Sequence, residues 1–251
     1  MDRLIKFSIQ KILAQFGYKI SEVVSVEPDQ DIRFKQLFTK YSPYTLSPVE
    51  RVFSLYKAIQ YIVDAKIPGD FVECGVWQGG NCMIMADMLL SLGESKRKIY
   101  LYDTYIGMPK PTKFDVNHTD KSYSLKIWKQ GIRKDHNEMS YAPLEEVRAN
   151  MMKIGYPQKN IIFVKGKVED TIPKTIPKKI ALLRLDTDWY ASTKHEMEYL
   201  FPKLLNHGVL IVDDYGHWAG AKKAVDEYIK KNKIAILLNR VDYTCRIGLK
   251  I

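Results

Sequence analysis

The feature that most constrains this chain is an alternation that begins at residue 70. Short apolar runs, Asp70–Cys74 (DFVEC), Lys98–Asp103 (KIYLYD), Ile161–Lys165 (IIFVK), Ile180–Asp186 (IALLRLD) and Gly208–Asp213 (GVLIVD), alternate with helical patterns near 80–94, 143–155, 190–205 and 217–232. Nearly continuous hydrophobicity over so few residues marks strands buried on both faces. Such strands alternating with helices imply an α/β fold with a parallel sheet covered on both sides. Two more strand-like runs, Lys233–Leu238 and Tyr243–Ile251, are joined across Asn239–Asp242, a connection short enough for an antiparallel hairpin.

Four of the five core strands carry acids at their carboxyl ends or in the turn beyond: Glu73, Asp103, Asp186 and Asp213-Asp214. Open α/β sheets bind ligands at that edge. Helix capping would account for one or two of these acids, but the repetition at one edge favours a site. The segment Glu73-Cys-Gly-Val-Trp-Gln-Gly-Gly80 ends a strand and opens a helix. Its glycines, Gly75, Gly79 and Gly80, permit a tight turn and a close backbone approach to a ligand, although purely steric reasons for them remain an alternative. The dinucleotide fingerprint G-x-G-x-x-G is absent, because Val76 and Trp77 follow Gly75. An acid two residues before the first glycine suits a ligand with a cationic amine.

Asp103 stands where an acid holds ribose hydroxyls in this architecture, and its two oxygens match a vicinal diol; a strand-end cap is the other reading. Glu73, the glycines and Asp103 together suggest a nucleoside without a polyphosphate, which S-adenosylmethionine satisfies. Asp186-Thr-Asp188 and Asp213-Asp214 follow two strands expected to be neighbours. Carboxylates gathered there would raise one another's pKa unless a cation neutralised them. Hard oxygen ligands in incomplete number suit Mg²⁺.

Four ordered stretches carry a resemblance. They are Pro68-Gly-Asp-Phe-Val-Glu-Cys-Gly-Val-Trp-Gln-Gly-Gly80, Tyr102-Asp-Thr-Tyr-Ile-Gly-Met-Pro109, Leu183-Arg-Leu-Asp-Thr-Asp-Trp-Tyr-Ala-Ser-Thr193 and Val212-Asp-Asp-Tyr-Gly-His-Trp218. From about Ser47 to Ile229 the chain resembles the macrocin-type (TylF-like) O-methyltransferases, metal-dependent enzymes that use S-adenosylmethionine and methylate sugar hydroxyls. The resemblance implies a Rossmann-like, seven-stranded class I methyltransferase sheet, mostly parallel, with one antiparallel strand near the end. It also implies cofactor contacts from Glu73, Gly75, Gly79, Gly80 and Asp103, with Gly166 and Asp170 beside the adenine. Asp186, Asp213 and Asp214 match the family's metal ligands, and Asp188 is left to support the site or cap the following helix.

On that reading a hydroxyl of a sugar or glycosylated small molecule is activated by the metal, and Asp186 is the first candidate base. His217 is the second, unless it simply packs on Trp218. Rival readings are methylation of a catechol-like phenol and, less favoured, a nucleic-acid-binding methyltransferase. The last would exploit the formal charge of +10, but the basic residues are dispersed and no nucleic-acid motif accompanies them.

The flanks are read from pattern alone. Leu4, Ile5, Ile9, Ile12, Leu13 and Phe16 recur at helical spacing, and a second helix starts at Ser47-Pro48, with serine as cap, and runs to about Ala65. Residues 1–66 are therefore expected to form a helical extension packing on a methyltransferase domain, 67–251. Contact of the first helix with a membrane surface is the lesser reading, and self-association is expected. Residues 107–142 are a polar, aromatic-studded insertion read as a lid; His118, Trp128, Asp135, His136 and Tyr141 either touch substrate or decorate it. No apolar run approaches the length of a membrane span, no signal peptide is recognised, and Cys74, Cys82 and Cys245 are too scattered for a disulfide framework. A reduced, cytoplasmic setting is expected.

Overall fold

The computed structural model describes residues 30–119, 121–122 and 124–251; the helix expected on Leu4 to Phe16 lies outside them. In chain order the elements are α1 (Ile32–Tyr41), α2 (Val49–Asp64), β1 (Asp70–Cys74), α3 (Gly80–Ser91), β2 (Ile99–Asp103), α4 (Leu125–Gln130), α5 (Leu144–Met152), β3 (Ile161–Lys165), α6 (Val168–Thr171), β4 (Ile180–Leu185), α7 (Tyr190–Tyr199), β5 (Leu204–Val212), α8 (Ala219–Lys231), β6 (Asn239–Arg240) and β7 (Arg246–Leu249). Among the described residues seven strands form one sheet in the order β3-β2-β1-β4-β5-β7-β6. The pairs β1–β2, β1–β4, β2–β3 and β4–β5 are parallel, and β7 runs antiparallel to both β5 and β6. The expected sheet, with a single reversed strand near its end, is thus present.

Side-chain alternation splits the core between the two faces of the sheet. Phe71, Leu101, Leu182 and Ile211 join α1, α2, α3 and α5 on one side. Val72, Tyr102, Leu183 and Leu210 join Met197 of α7 and Val225 of α8 on the other. All six residues of β4 are buried. Arg184 is one of them, and it shares a face and a register position with Glu73 of β1.

Some boundaries depart from the sequence reading. The run at Lys233–Leu238 is not a strand, and β6 is confined to Asn239–Arg240. The reversal occurs later because the Asp242 carboxylate accepts from the amides of Thr244 at 2.9 Å and Cys245 at 2.6 Å, which pins the turn there. Helix α7 stops at Tyr199, and a 3₁₀ turn at Phe201–Lys203, containing Pro202, follows it. Strand β5 starts earlier than expected, at Leu204, and passes an irregularity at His207 (φ 65°) before pairing regularly with β4. Helix α1 has its own signature: Asp31 caps it through the Phe34 amide at 2.9 Å, and Phe34, Leu37 and Tyr41 face the core. Ser47 does not cap α2; its hydroxyl accepts instead from Arg184 at 3.0 Å. No helix among the described residues is long and apolar enough to cross a membrane.

The turn leaving β1 must pass the end of β4 at very close range. Gly75 adopts φ +80°, and a Cβ there would lie 1.9 Å from the Asp186 carbonyl oxygen. Gly75→Ala should therefore lower unfolding free energy by about 2–4 kcal/mol, read as a lower urea midpoint with an unchanged slope. An unchanged midpoint would contradict this close approach.

Candidate active site

Arg184 organises the carboxyl edge of the sheet. Its guanidinium is 2% exposed and donates to Glu73 Oε1 at 2.7 Å, to Asp186 Oδ2 at 2.5 Å, to Ser47 Oγ at 3.0 Å and to Asp213 Oδ1. Arg51 of α2 holds the other oxygen of Asp213 and bonds Asp242 at 2.7 Å. The two arginines thus tie β1, β4, β5, α2 and the β6–β7 turn together. Arginine suits this place because its planar fork keeps its charge when buried and satisfies several oxygens at once.

A cavity of about 220 Å³ opens beside this network. Gly75, Val76, Trp77 and Asp103 wall one side, Gly166, Val168 and Glu169 another, and Asp186, Asp188, Asp213 and Asp214 a third. Asp103 fixes the glycine turn: Oδ2 accepts from the amides of Val76 at 2.8 Å and Trp77 at 3.2 Å, while Oδ1 accepts from Tyr105 at 2.8 Å. Burial raises its pKa against the pull of those amides. The Thr104 hydroxyl also meets Oδ1, at 3.4 Å.

The acid wall carries more negative charge than the arginines offset. Oxygens of Asp186, Asp213 and Asp214 lie within 4.8 Å of one another, a spacing at which one cation with oxygen ligands at about 2.0–2.6 Å can touch all three. Among the described residues Asp214 has no guanidinium partner; it accepts from the Asp188 amide at 3.1 Å. Burial first, then the carboxylates of Asp188, Asp186 and Asp213, push its pKa well up. Among the described residues Glu73, Asp186, Asp188, Asp213, Asp214 and Asp242 stand against Arg51 and Arg184. This donor set fits a divalent cation.

The expected site residues divide. Gly75, Asp103, Gly166, Asp186, Asp213 and Asp214 meet in the cavity. Glu73 does not reach it: the carboxylate is 1% exposed and engaged by Arg184, by Asn81 at 3.1 Å and by Cys82 at 2.8 Å. It acts on the cavity through Arg184 and Asn81. Gly79 and Gly80 also stand back from it, facing Val147 and the Tyr44 carbonyl, so their role is to seat α3. Asp170 lies outside the wall, where its neighbour Glu169 takes part. His217 packs on Trp218 with ring centroids 4.7 Å apart and bonds the Tyr243 hydroxyl at 2.9 Å, away from the cavity. The packing on Trp218 that the sequence offers as its other role is present. Asp188 caps no helix; Oδ1 accepts from the Trp218 indole at 2.7 Å. Sequence reasoning missed Arg184 and Arg51, although a charge inside the apolar run IALLRLD is itself a signal.

The insertion read as a lid packs beside the cavity. Its Met108 and Pro109 line the cavity, their carbonyls held by the indoles of Trp128 at 2.8 Å and Trp189 at 2.9 Å. His136 stacks on Tyr141 with centroids 4.0 Å apart. Trp128, Asp135 and His136 line a second cleft, of about 430 Å³, on the β2–β3 side, with Gly166 and Lys167.

Comparison with known proteins agrees with this geometry. The family model described as macrocin-O-methyltransferase (TylF) matches residues 8–247. A Streptomyces olivaceus protein, 8-demethyl-8-(2,3-dimethoxy-alpha-L-rhamnosyl)-tetracenomycin-C 4'-O-methyltransferase, is 30% identical over 94% of this chain and 88% of its own length. Mycinamicin III 3''-O-methyltransferase of Micromonospora griseorubida is 27% identical over 79% of this chain and 75% of its own. Among solved structures, the O-methyltransferase NovP superposes with a TM-score of 0.72 at 28% identity, covering 82% of each chain. The sheet is that of the class I methyltransferases.

Glu196 of α7 stands just behind the acid turn. It is fully buried; Oε1 accepts from Thr187 Oγ1 at 2.9 Å, Oε2 has no hydrogen-bond partner among the described residues, and burial pushes its pKa up to about 8. A carboxyl with a raised folded pKa keeps a proton that the unfolded chain releases, so its contribution to stability is lost as pH rises from about 4.5 to 8. Glu196→Gln should match the unaltered chain near pH 4 and exceed it by about 2–4 kcal/mol near pH 8, measured by urea unfolding at each pH. A pH-independent difference would contradict the buried neutral acid.

Proposed function

The chain belongs to the macrocin-O-methyltransferase (TylF) family, and from that premise we propose that it moves a methyl group from S-adenosylmethionine to a hydroxyl of a sugar or glycosylated small molecule, with Mg²⁺ or another divalent cation at Asp186, Asp213 and Asp214. The observation that carries this reading is the meeting, in one cavity, of a glycine turn fixed by Asp103 with three converging carboxylates. The name of the Streptomyces relative, a methyltransferase of a rhamnosyl-bearing compound, supports the acceptor class.

S-adenosylmethionine, when bound, supplies an electrophilic methyl group, and a divalent cation lowers the pKa of an acceptor hydroxyl. The chain supplies position. The turn at Gly75–Trp77 and Asp103 bind and orient the nucleoside, with Gly166, Val168 and Glu169 as the adjoining wall. Asp186, oriented by Arg184 through Oδ2, is the first candidate to take the hydroxyl proton. Arg184 and Arg51 hold Asp213 in place from both sides. Met108 and Pro109 of the lid close the cavity and exclude water.

The direct test is transfer from labelled S-adenosylmethionine to a panel of glycosylated natural products and catechols, with Mg²⁺ or with EDTA. The reading predicts turnover of glycosylated compounds, lost in EDTA and restored by Mg²⁺. It further predicts a loss of about 100-fold or more in Asp213→Ala with Asp214→Ala. Turnover of catechols alone would overturn the acceptor class, and full activity in EDTA would overturn the metal.

A further inference from the structure

We propose that Asp115, a lid residue outside the cavity, is a positioning residue that locks the lid to the acid-bearing turn Asp186–Asp188. The proposal rests on the function given above, because it concerns how that cavity keeps its shape. Helices α7 and α8 start shortly after the two acid turns, at Tyr190 and Ala219. The first turn of a helix has amides without intrahelical partners, and Trp189, at the cap position of α7, supplies no side-chain bond. The lid supplies it. Asp115 is 0% exposed, and Oδ1 accepts from the Tyr190 amide at 2.7 Å.

The other oxygen of the same carboxylate folds the lid. Oδ2 accepts from Thr112 twice, from its amide at 2.6 Å and from its hydroxyl at 2.8 Å. The Asp115 carbonyl accepts from Ser124 Oγ at 2.6 Å, which adds the start of α4. Thr112 lies shortly after Met108 and Pro109, the lid residues that wall the cavity. One carboxylate therefore bridges the lid neck and the helix that continues the acid turn.

Helix α8 is shaped to receive this side chain. A Cβ at Gly220 would sit 2.2 Å from Asp115 Oδ1 and 3.0 Å from the Tyr190 amide, so the seat exists only with glycine there. Backbone pairing continues the contact: Ala219 donates to the Val116 carbonyl at 3.0 Å and His118 to the His217 carbonyl at 2.7 Å. Residues 115–118 thus lie against the first turns of both helices. Closing the lid and setting the acid turn become one event.

Hydrogen–deuterium exchange read by mass spectrometry tests this on the full chain, with S-adenosylhomocysteine affinity as a second readout. In Asp115→Ala, exchange should rise about tenfold in both 109–118 and 186–192. The S-adenosylhomocysteine dissociation constant should stay within about threefold, since Asp115 does not line the cavity and touches none of the Gly75–Trp77 amides. Asp115→Asn keeps an oxygen for the Tyr190 amide and loses the second acceptor, so it should restore 186–192 while 109–118 stays fast. Gly220→Ala, which fills the seat and retains Asp115, should reproduce the alanine pattern.

Loosening of 109–118 with 186–192 unchanged, in both Asp115→Ala and Gly220→Ala, would overturn the positioning role, and so would no change in either segment. If Asp115→Ala lacks a cooperative thermal transition, Asp115→Asn and Gly220→Ala decide the matter by the same criteria. None of these readouts needs an acceptor. A failed acceptor screen would therefore count against the proposed function and leave this coupling standing, and the converse holds.

Discussion

A guanidinium buried in the sheet sets most of what surrounds it. Arg184 sits in a strand with no exposed residue, and a cation placed there must be compensated on nearly every side or it would not stay. Glu73 is supplied by β1 at the same register, Asp213 by the residue after β5, Asp186 by its own strand end and Ser47 by the approach to α2. Removing one member would leave the others buried and unpaired, which is costly. The network therefore holds the carboxyl edge in one arrangement, and Arg51 carries it on to Asp242 and the β6–β7 turn.

From this anchor the edge divides into two chemistries. Toward β2 and β3 the wall is the glycine turn: the amides of Val76 and Trp77 donate to Asp103, which fixes it, and Gly75 lets the turn slide past the Asp186 carbonyl. Toward β4 and β5 the wall is carboxylate, with Asp214 and Asp188 outside the reach of either arginine's hydrogen bonds. The first half offers shape and polar contacts to a neutral nucleoside. The second is short of positive charge, which the proposed cation would relieve. Part of the formal charge of +10 lies on Lys110 and Lys134 around the cleft on the β2–β3 side, and Lys167 lines both that cleft and the cavity.

How much of this could be read beforehand depended on the range of the interaction. The parallel strands were legible because burial on both faces leaves near-continuous apolar runs, and the acids Asp103, Asp186, Asp213 and Asp214 were legible because strand ends fall at one edge. Asp170 and Glu169 were not separable. Successive residues of a single helical turn point about 100° apart, and a motif does not say which one faces inward. The hairpin was misplaced because a side-chain turn at Asp242 outweighed the β-propensity of the Ile234–Leu238 stretch. Glu73 reads as a cavity residue from its strand-end position alone, whereas the arginine in IALLRLD asks for an acid on a neighbouring strand and takes Glu73 out of it. Asp115 has no local mark at all. Its meaning appears only when the lid meets two helix starts that are far away in sequence.

The central claim is that Arg184 fixes the acids so that Asp186, Asp213 and Asp214 together hold a divalent cation beside the nucleoside turn. The most direct measurement is an anomalous difference map from crystals grown with S-adenosylhomocysteine and Mn²⁺, a hard cation that prefers the same oxygen ligands as Mg²⁺. The account predicts one peak bounded by those three carboxylates, with the Arg184 guanidinium still bound to Glu73. A map with the nucleoside in place and no peak between the three acids would contradict it.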